Sequence, residues 1–228
     1  MENSRFVSED LRTHFLELRN FYMQIEHSGK LTREAKVPYM IEWWQKSFDL
    51  VVRSGVTREN IKEMINNSDS HIKSGCDWFF YTLERYDIPL LIFSAGLGDI
   101  IEEWISQQCG IFKNQKIIAN FMTFDEESGK VNGWKNELIH VFNKNESSIN
   151  DTEYEKFIEN RHNLILIGDS IGDIDMASGY KNINTILKIG FLNGNVEEQL
   201  PKYMEIYDIV SINDPTFDIP NAILKSVI

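Results

Sequence analysis

Hydrophobic positions near the start of the chain follow the three- and four-residue spacing of an amphipathic helix. The spacing is set by five side chains: Leu11, Phe15, Leu18, Tyr22 and Ile25. One face of an α-helix repeats at this interval, so the pattern predicts a helix that begins after Ser8. Ser8 is a suitable N-cap, and Glu9 and Asp10 fall in the first turn, where the helix dipole stabilises acidic side chains.

Further helices are predicted over the rest of this region. Thr32 opens a second helix that closes near Gly55, and Pro38 lies either near its start or at a kink. Thr57 can cap a short third helix, and a fourth helix follows it. We therefore predict that residues 1–85 form an all-helical region.

After residue 87 the pattern changes to short apolar runs, which are typical of buried strands. Such runs cover residues 88–93, 116–121, 164–167, 183–189 and 206–211, and a hairpin turn is predicted at 127–130. A helix over residues 99–108 follows the first run. Strands that alternate with helices predict an α/β core over residues 86–228, with an open, mostly parallel sheet and an active site at the carboxyl ends of the strands.

Charge and composition exclude several classes of protein. The chain has 228 residues with 23 Lys+Arg against 35 Asp+Glu, a net charge of −12. This acidity argues against nucleic acid as the main partner, because phosphate backbones are bound by clustered cations. Hydrophobic residues make up 42% and charged residues 25% of the chain, which predicts a folded globular protein.

Cysteine usage and hydropathy indicate the compartment. Cys76 and Cys109 match no metal-ligand spacing and are too few for a disulfide framework, so a reducing, cytoplasmic setting is expected. No run approaches the 18 or so apolar residues of a membrane span. We therefore predict a soluble protein without a membrane partner, and the oligomeric state stays open.

The most informative segment is 168–177, which directly follows a predicted buried strand. It carries Asp169, Asp173 and Asp175, with glycines that permit a tight turn. Carboxylates crowded at the edge of a sheet repel one another unless a cation is present, and oxygen ligands of this kind suit Mg²⁺. The alternative is an acidic helix N-terminus, in which Asp169, Ser170 or Asp173 serves only as a cap.

Two weaker signals accompany this segment. Ser94 and Ala95 end another predicted strand, just before a helix N-terminus, where a hydroxyl and backbone N–H groups can hold a phosphate oxygen. Judged alone, this stretch is more simply a turn of small residues. Lys144 judged alone is one lysine among many, and most such lysines are solvated surface charges.

The order of these signals is that of a known enzyme class. A strand that ends in Ser, then a Lys, then a strand that ends in Gly-Asp-x-x-Gly-Asp matches haloacid-dehalogenase-type phosphohydrolases. In more detail the chain resembles the cytosolic pyrimidine 5′-nucleotidase family (cytosolic 5′-nucleotidase type III) over essentially its whole length. The resemblance rests on five segments: residues 92–99, 120–125, 138–144, 167–173 and 187–193.

The resemblance implies a fold, a reaction and a set of roles. The fold would be a haloacid-dehalogenase-like, Rossmannoid parallel-sheet core with an α-helical cap, and the reaction Mg²⁺-dependent hydrolysis of nucleoside 5′-monophosphates, namely CMP and UMP, or 7-methyl-GMP in one branch. Ser94 and Ala95 would bind the phosphate, and Lys144 would balance its charge. Asp169 would ligate Mg²⁺ with support from Asp173.

The same resemblance assigns three residues of the helical cap to recognition of the base. Glu26 would contact the base, and Trp44 and Ser47 would complete its pocket. A tryptophan face can stack on a base, and a carboxylate can attract an amine or a cationic methylated guanine. The simpler interpretation of Glu26 is a solvated acid. Because Trp43 and Trp44 are adjacent on a helix, we expect that they do not both face one pocket and that at least one of them is core packing.

One feature of the family has no counterpart in the sequence. Enzymes of this class attack phosphate with the first Asp of an Asp-x-Asp-x-Thr motif, and the nearest strings, at 124–126 and 173–175, lack the threonine. The chain is therefore expected to begin inside the cap, without the nucleophile strand. Two functions stay open: a Mg²⁺-dependent nucleotidase, and a catalytically inactive nucleotide-binding or interaction protein.

Overall fold

The computed structural model describes residues 5–144, 152–178, 180 and 183–228. Within them the helices are α1 (Glu9–Glu26), α2 (Arg33–Ser54), α3 (Arg58–Asn66), α4 (Cys76–Arg85), α5 (Gly98–Gln108), α6 (Thr152–Ile158), α7 (Val196–Ile206) and α8 (Asp218–Val227). The strands are β1 (Leu90–Leu97), β2 (Gln115–Asn120), β3 (Met122–Phe124), β4 (Val131–Trp134), β5 (Asn163–Gly168), β6 (Thr185–Leu192) and β7 (Ile209–Ile212). A short 3₁₀ helix, Ile171–Ala177, follows β5.

The predicted N-terminal helices are confirmed, and their ends are held by the expected side chains. Ser8 Oγ accepts a hydrogen bond from the backbone N–H of Leu11 at 3.4 Å and caps α1. Thr57 and Asn60 form a reciprocal capping box at the start of α3, with distances of 3.2 and 3.1 Å. Gly55 ends α2 with a φ of 63°, a left-handed conformation that glycine adopts without a steric penalty.

A hydrophobic core joins the first three helices to the β3–β4 hairpin. Its buried members are Val7, Leu11, Phe15, Leu50, Val51, Val56, Ile61, Ile65, Met122 and Val131. Met122 and Val131 come from the hairpin, and Met122 has no solvent exposure. The apolar stripes of the helices are therefore buried against residues that lie far along the chain.

The strands form three sheets in the part of the chain that the structure describes. β5, β6 and β7 form a parallel sheet in that order, with Gly168 opposite Gly190. β3 and β4 pair antiparallel, which confirms the predicted hairpin, and β1 pairs with β2. Parallel strands connected through helices confirm the predicted α/β class.

Two strand boundaries were predicted wrongly. The polar turn expected at 94–96 is strand, because β1 continues to Leu97. Asn120, the last residue of β2, donates from Nδ2 to the carbonyl oxygen of Ala95 at 2.8 Å and holds this extension. The strand predicted from Ile206 begins only at Ile209, because Ile206 is the last residue of α7.

The helix α7 was missed by the sequence analysis. Its apolar side chains recur at helical spacing through Val196, Leu200 and Tyr203 to Tyr207, and they pack around the buried Leu166 of β5. Asn195 and Gly194 before it have positive φ angles, which mark the turn that leads into the helix. This periodicity was present in the sequence but interrupted by Pro201, which lies inside α7.

The chain divides into two compact units, each built from separate segments. One unit contains Met1–Ser70, Ser94–Gln107 and Ala119–Phe142, and the other contains His71–Phe93, Gln108–Ile118 and Asn143–Ile228. These limits differ from the predicted regions 1–85 and 86–228, because parts of the predicted α/β core belong to the unit of the first three helices. None of the helices in the described residues is long and apolar enough to span a membrane.

Gly98 offers a test of the packing at the start of α5. A Cβ at this position would lie 2.7 Å from two ring carbons of Phe121. Gly98→Ala must therefore displace the ring, and we expect the free energy of unfolding to fall by about 1–3 kcal/mol in urea denaturation. Gly29→Ala is the matched control, because nothing lies within 4 Å of a Cβ added at that position. An equal loss of stability in the two variants would contradict the close contact between position 98 and the Phe121 ring.

Candidate functional site

The loop that follows β5 is folded around the carboxylate of Asp173. Asp173 is 3% exposed, and its Oδ2 accepts hydrogen bonds from the backbone N–H groups of Asp169 at 3.0 Å and Ser170 at 2.9 Å. The predicted capping role of an aspartate is therefore confirmed for Asp173. This capping role does not exclude a metal site, because the same loop presents Asp169 at the carboxyl end of a parallel strand.

Lys144 forms a buried ion pair with this carboxylate. Its Nζ lies 2.8 Å from Asp173 Oδ1, and the two side chains are 11% and 4% exposed. Lys144 is therefore not the solvated surface charge that the residue type alone would suggest. The structure brings Lys144, Asp169 and Asp173 together within one unit, as the sequence predicts.

The two aspartates ionise differently. Burial and then the negative charge of Asp173 raise the pKa of the Asp169 carboxyl above its ordinary value. Burial acts in the same direction on Asp173, but the charge and hydrogen bond of Lys144 and the loop N–H groups outweigh it and lower the pKa of that carboxyl.

These residues fit a magnesium ion through their chemistry. Both oxygens of Asp173 already accept hydrogen bonds, which suits the supporting role predicted for it, while Asp169 supplies a hard carboxylate beside it. The described residues form no cluster of three or more His, Cys, Asp or Glu side chains able to hold a metal ion. Mg²⁺ does not require one, because it typically binds one or two carboxylates and completes its coordination with water and phosphate oxygens.

Two tyrosines that the sequence analysis did not single out also contact this loop. Tyr203 Oη donates to the carbonyl oxygen of Asp169 at 2.6 Å, and Tyr207 Oη donates to that of Ser170 at 2.5 Å. Both tyrosines are buried. Their spacing of four residues was the available signal. It indicates that the two side chains lie on the same side, but only if the segment that contains them is recognised as a helix.

The predicted phosphate-binding residues lie at the end of β1. Ser94 Oγ accepts a hydrogen bond from the N–H of Gly96 at 3.0 Å, so its hydroxyl hydrogen can be donated to a phosphate oxygen. The side chain of Asn120 fixes this strand end: Nδ2 donates to Ala95 O and to Ile139 O at 2.8 Å each, and Oδ1 accepts from the N–H of Ile139 at 2.9 Å. Asn120 begins one of the five segments that carry the family resemblance, but no role was predicted for it.

A pocket in the same unit is lined by the predicted base-binding residues. Its volume is about 720 Å³, and Trp44, Ser47 and Phe48 of α2 contribute to its wall. Leu97, three residues after Ser94, lines it as well. An aromatic wall with a nearby hydroxyl is suited to a planar, polar-edged ligand such as a base.

The expectation that Trp43 and Trp44 could not share one pocket was wrong. Both line it. Trp43 stacks on Tyr22 with ring centroids 5.8 Å apart and an interplanar angle of 11°, while Trp44 tilts against Phe48 at 5.5 Å. Adjacent helix positions diverge by about 100°, but an indole ring is large enough that a residue beside the pocket-facing position can also reach the wall.

Glu26 is placed differently from Trp44 and Ser47. It is the last residue of α1 and half-buried, and its carbonyl oxygen accepts a hydrogen bond from Lys36 Nζ at 2.8 Å. It is not among the described residues that line the pocket. The structure therefore brings Trp44 and Ser47 together in the wall of the pocket and does not place Glu26 in that wall.

Comparison with known proteins places this geometry in a family. The family model for pyrimidine 5′-nucleotidase (UMPH-1) matches residues 1–228. The 7-methylguanosine phosphate-specific 5′-nucleotidase A of Xenopus laevis is 41% identical over 228 residues, which cover 100% of this chain and 78% of the relative. The mouse (Mus musculus) 7-methylguanosine phosphate-specific 5′-nucleotidase is also 41% identical, with 100% and 76% covered.

Solved structures agree with these matches. Cytosolic 5′-nucleotidase IIIB bound to cytidine superposes with a TM-score of 0.84 at 34% identity, over 98% of this chain and 75% of that one. A phosphoserine phosphohydrolase-like protein from Francisella tularensis gives a TM-score of 0.53 at 18% identity, over 97% and 87%, and supports the fold alone. The predicted haloacid-dehalogenase-like fold with a helical cap is thereby confirmed. The chain belongs to the pyrimidine 5′-nucleotidase (UMPH-1) family, whose members are phosphoric monoester hydrolases.

Proposed function

We propose that the protein acts on nucleoside 5′-monophosphates in a Mg²⁺-dependent hydrolysis that yields a nucleoside and phosphate. The observation that carries this proposal is the buried pair of Lys144 and Asp173 beside Asp169 at the end of β5. Phosphoryl transfer depends mainly on positioning and charge neutralisation, and this loop supplies one cation and one carboxylate suited to a metal. We also propose that the protein works in the cytoplasm, like its relatives that are named cytosolic.

Each group has a distinct task in this proposal. Bound Mg²⁺ would neutralise charge on the phosphoryl oxygens, and Asp169 holds it with Asp173 in support. Lys144 is held in place by its ion pair with Asp173, so it can attract the phosphate without leaving that pair. Ser94, through its hydroxyl hydrogen, and Ala95, through its backbone N–H, stay proposed as phosphate contacts from the family resemblance.

The proposed substrates are CMP, UMP and 7-methyl-GMP. The named relatives are specific for 7-methylguanosine phosphate, and the similar solved structure contains cytidine. Trp44 can stack on any of these bases, and its π-face also attracts the cationic 7-methylguanine ring. Ser47 can hydrogen-bond to the edge of the base, and Glu26 stays proposed as a base contact from the family resemblance.

A second function is favoured by one feature of the sequence. The 228 residues contain no Asp-x-Asp-x-Thr motif to form the aspartyl-phosphate. The second candidate is therefore a protein that binds nucleotide and Mg²⁺ without turnover. Both candidates use the same binding residues, so they are separated only by the release of phosphate.

Phosphate release from CMP, UMP and 7-methyl-GMP by the purified chain, with and without Mg²⁺, tests the hydrolysis. Under the first function we expect Mg²⁺-dependent release that is lost in Asp169→Asn, because an amide cannot replace the anionic ligand. Calorimetric binding of CMP without release would establish the second function. Neither release nor binding by the folded chain would contradict both.

The ion pair of Lys144 predicts a specific pattern of stability. Lys144→Met leaves the buried charge of Asp173 unpaired, and we expect the free energy of unfolding to fall by about 3–5 kcal/mol. In the double variant Lys144→Met with Asp173→Asn, the amide oxygen can still accept from the loop N–H groups, so the loss should be smaller than in the single variant. The control is Lys62→Met, at an exposed position of α3. A double variant less stable than Lys144→Met would contradict the pairing.

The pocket predicts a role for Trp44 in nucleotide affinity. Trp44→Ala removes a stacking face and should weaken CMP and 7-methyl-GMP binding about tenfold or more, measured by calorimetry. Phe21→Ala is the control, because Phe21 is an exposed aromatic of α1 that does not line the pocket.

Glu26→Gln in the same assay should weaken the binding of 7-methyl-GMP more than that of CMP. An unchanged preference after both Glu26→Gln and Trp44→Ala would refute their proposed role in base choice.

A further inference from the structure

The hydroxyl groups of Tyr203 and Tyr207 reach two consecutive carbonyl groups of the loop after β5. Tyr203 Oη lies 2.6 Å from Asp169 O, and Tyr207 Oη lies 2.5 Å from Ser170 O. Tyr203 lies on α7, and Tyr207 is the extended residue that directly follows the helix. Their rings are 3% and 4% exposed and stack with centroids 5.5 Å apart. The C-terminal end of α7 thus makes two short hydrogen bonds to adjacent residues of the loop.

The same two loop residues are held from the opposite side. Their backbone N–H groups donate to Oδ2 of Asp173 at 3.0 and 2.9 Å. Asp169 and Ser170 therefore have both the N–H and the C=O group engaged by buried side chains. With its backbone fixed in this way, Asp169 retains only the rotation of its own side chain.

The close approach of Tyr207 requires two glycines. A Cβ on Gly168 would lie 2.8 Å from Tyr207 Oη, and a Cβ on Gly190 would lie 2.6 Å from a ring carbon of Tyr207. Gly168 and Gly190 are opposite each other in the pairing of β5 with β6. The parallel sheet thus lacks side chains where the tyrosine ring crosses it, so that the ring can reach the loop.

Core packing alone does not account for the hydroxyl groups. The rings pack on Leu166 and Leu192, and phenylalanine rings would make the same contacts. A buried hydroxyl costs free energy unless it forms a hydrogen bond, and here each forms one to the loop. Burial and the nearby aspartates raise the pKa of both tyrosines, which keeps the hydroxyl groups protonated as donors.

We propose that Tyr203 and Tyr207 are positioning residues that hold Asp169 in the orientation in which it binds a divalent cation. This inference rests on the proposed Mg²⁺ site and extends it to residues outside the acidic segment. A ligand whose backbone is fixed before the metal arrives loses less conformational entropy on binding. Partners that orient metal ligands typically contribute 10- to 100-fold to metal affinity.

The test uses isosteric substitutions in the full chain. Tyr203→Phe and Tyr207→Phe remove the hydroxyl groups and keep the rings, and Tyr81→Phe is the control because Tyr81 is 58% exposed on α4. The dissociation constant for Mn²⁺, a paramagnetic substitute for Mg²⁺, is measured by electron paramagnetic resonance, with Mg²⁺ as competitor. We expect it to rise about tenfold or more in each of the first two variants and to stay within about twofold in the control.

The outcomes separate this inference from the function on which it rests. Circular dichroism establishes that each variant is folded, and thermal unfolding measures its stability. Lower stability with an unchanged Mn²⁺ dissociation constant would mean that the hydroxyl groups serve the core only, and would overturn the inference while leaving the metal site intact. Absence of Mn²⁺ binding that depends on Asp169 in the unsubstituted chain, judged against Asp169→Asn, would overturn the metal site and the inference together.

Discussion

The carboxylate of Asp173 is the group on which the candidate metal site depends. It pairs with Lys144 and accepts the N–H groups of Asp169 and Ser170, all within a buried environment. A charge this deeply buried is tolerated only when it is paired and hydrogen-bonded. Burial of Asp173 therefore requires both that Lys144 lies beside the carboxylate and that the loop directs its N–H groups toward it. Burial and the same charge raise the pKa of Asp169. The requirement to stabilise one buried carboxylate thus also sets the electrostatic environment of the aspartate beside it.

Local patterns were sufficient to predict most of the secondary structure. Ser8 and Thr57 mark helix starts because capping depends only on neighbouring residues, and the run that ends at Gly168 marks a strand because it is continuously apolar. The errors arose where distant residues decide the outcome. β1 continues past Phe93 because Asn120 holds Ala95, a contact between residues 25 positions apart. A turn of small residues and a strand cannot be distinguished there from local sequence.

The candidate site was predictable in its chemistry and less so in its geometry. Asp169, Asp173 and Lys144 could be identified because the order of their motifs resembles that of a known family. The roles of Tyr203 and Tyr207 could not, since a tyrosine becomes a loop contact only through the placement of its helix. A rule about helix faces also misled the prediction for the two tryptophans of α2, because it describes the directions of Cβ atoms and not the reach of an indole ring.

The core shared by the first helices and the hairpin has a consequence for the order of events during synthesis. α1, α2 and α3 leave the ribosome before the hairpin, because Met122 and Val131, which complete their buried cluster, are translated later. Until then the apolar faces of the helices lack part of their cover, and exposed apolar surface in a nascent chain favours aggregation. The N-terminal region should therefore engage chaperones on the ribosome until the hairpin has been made, and a pause in translation before Met122 should lengthen that exposure.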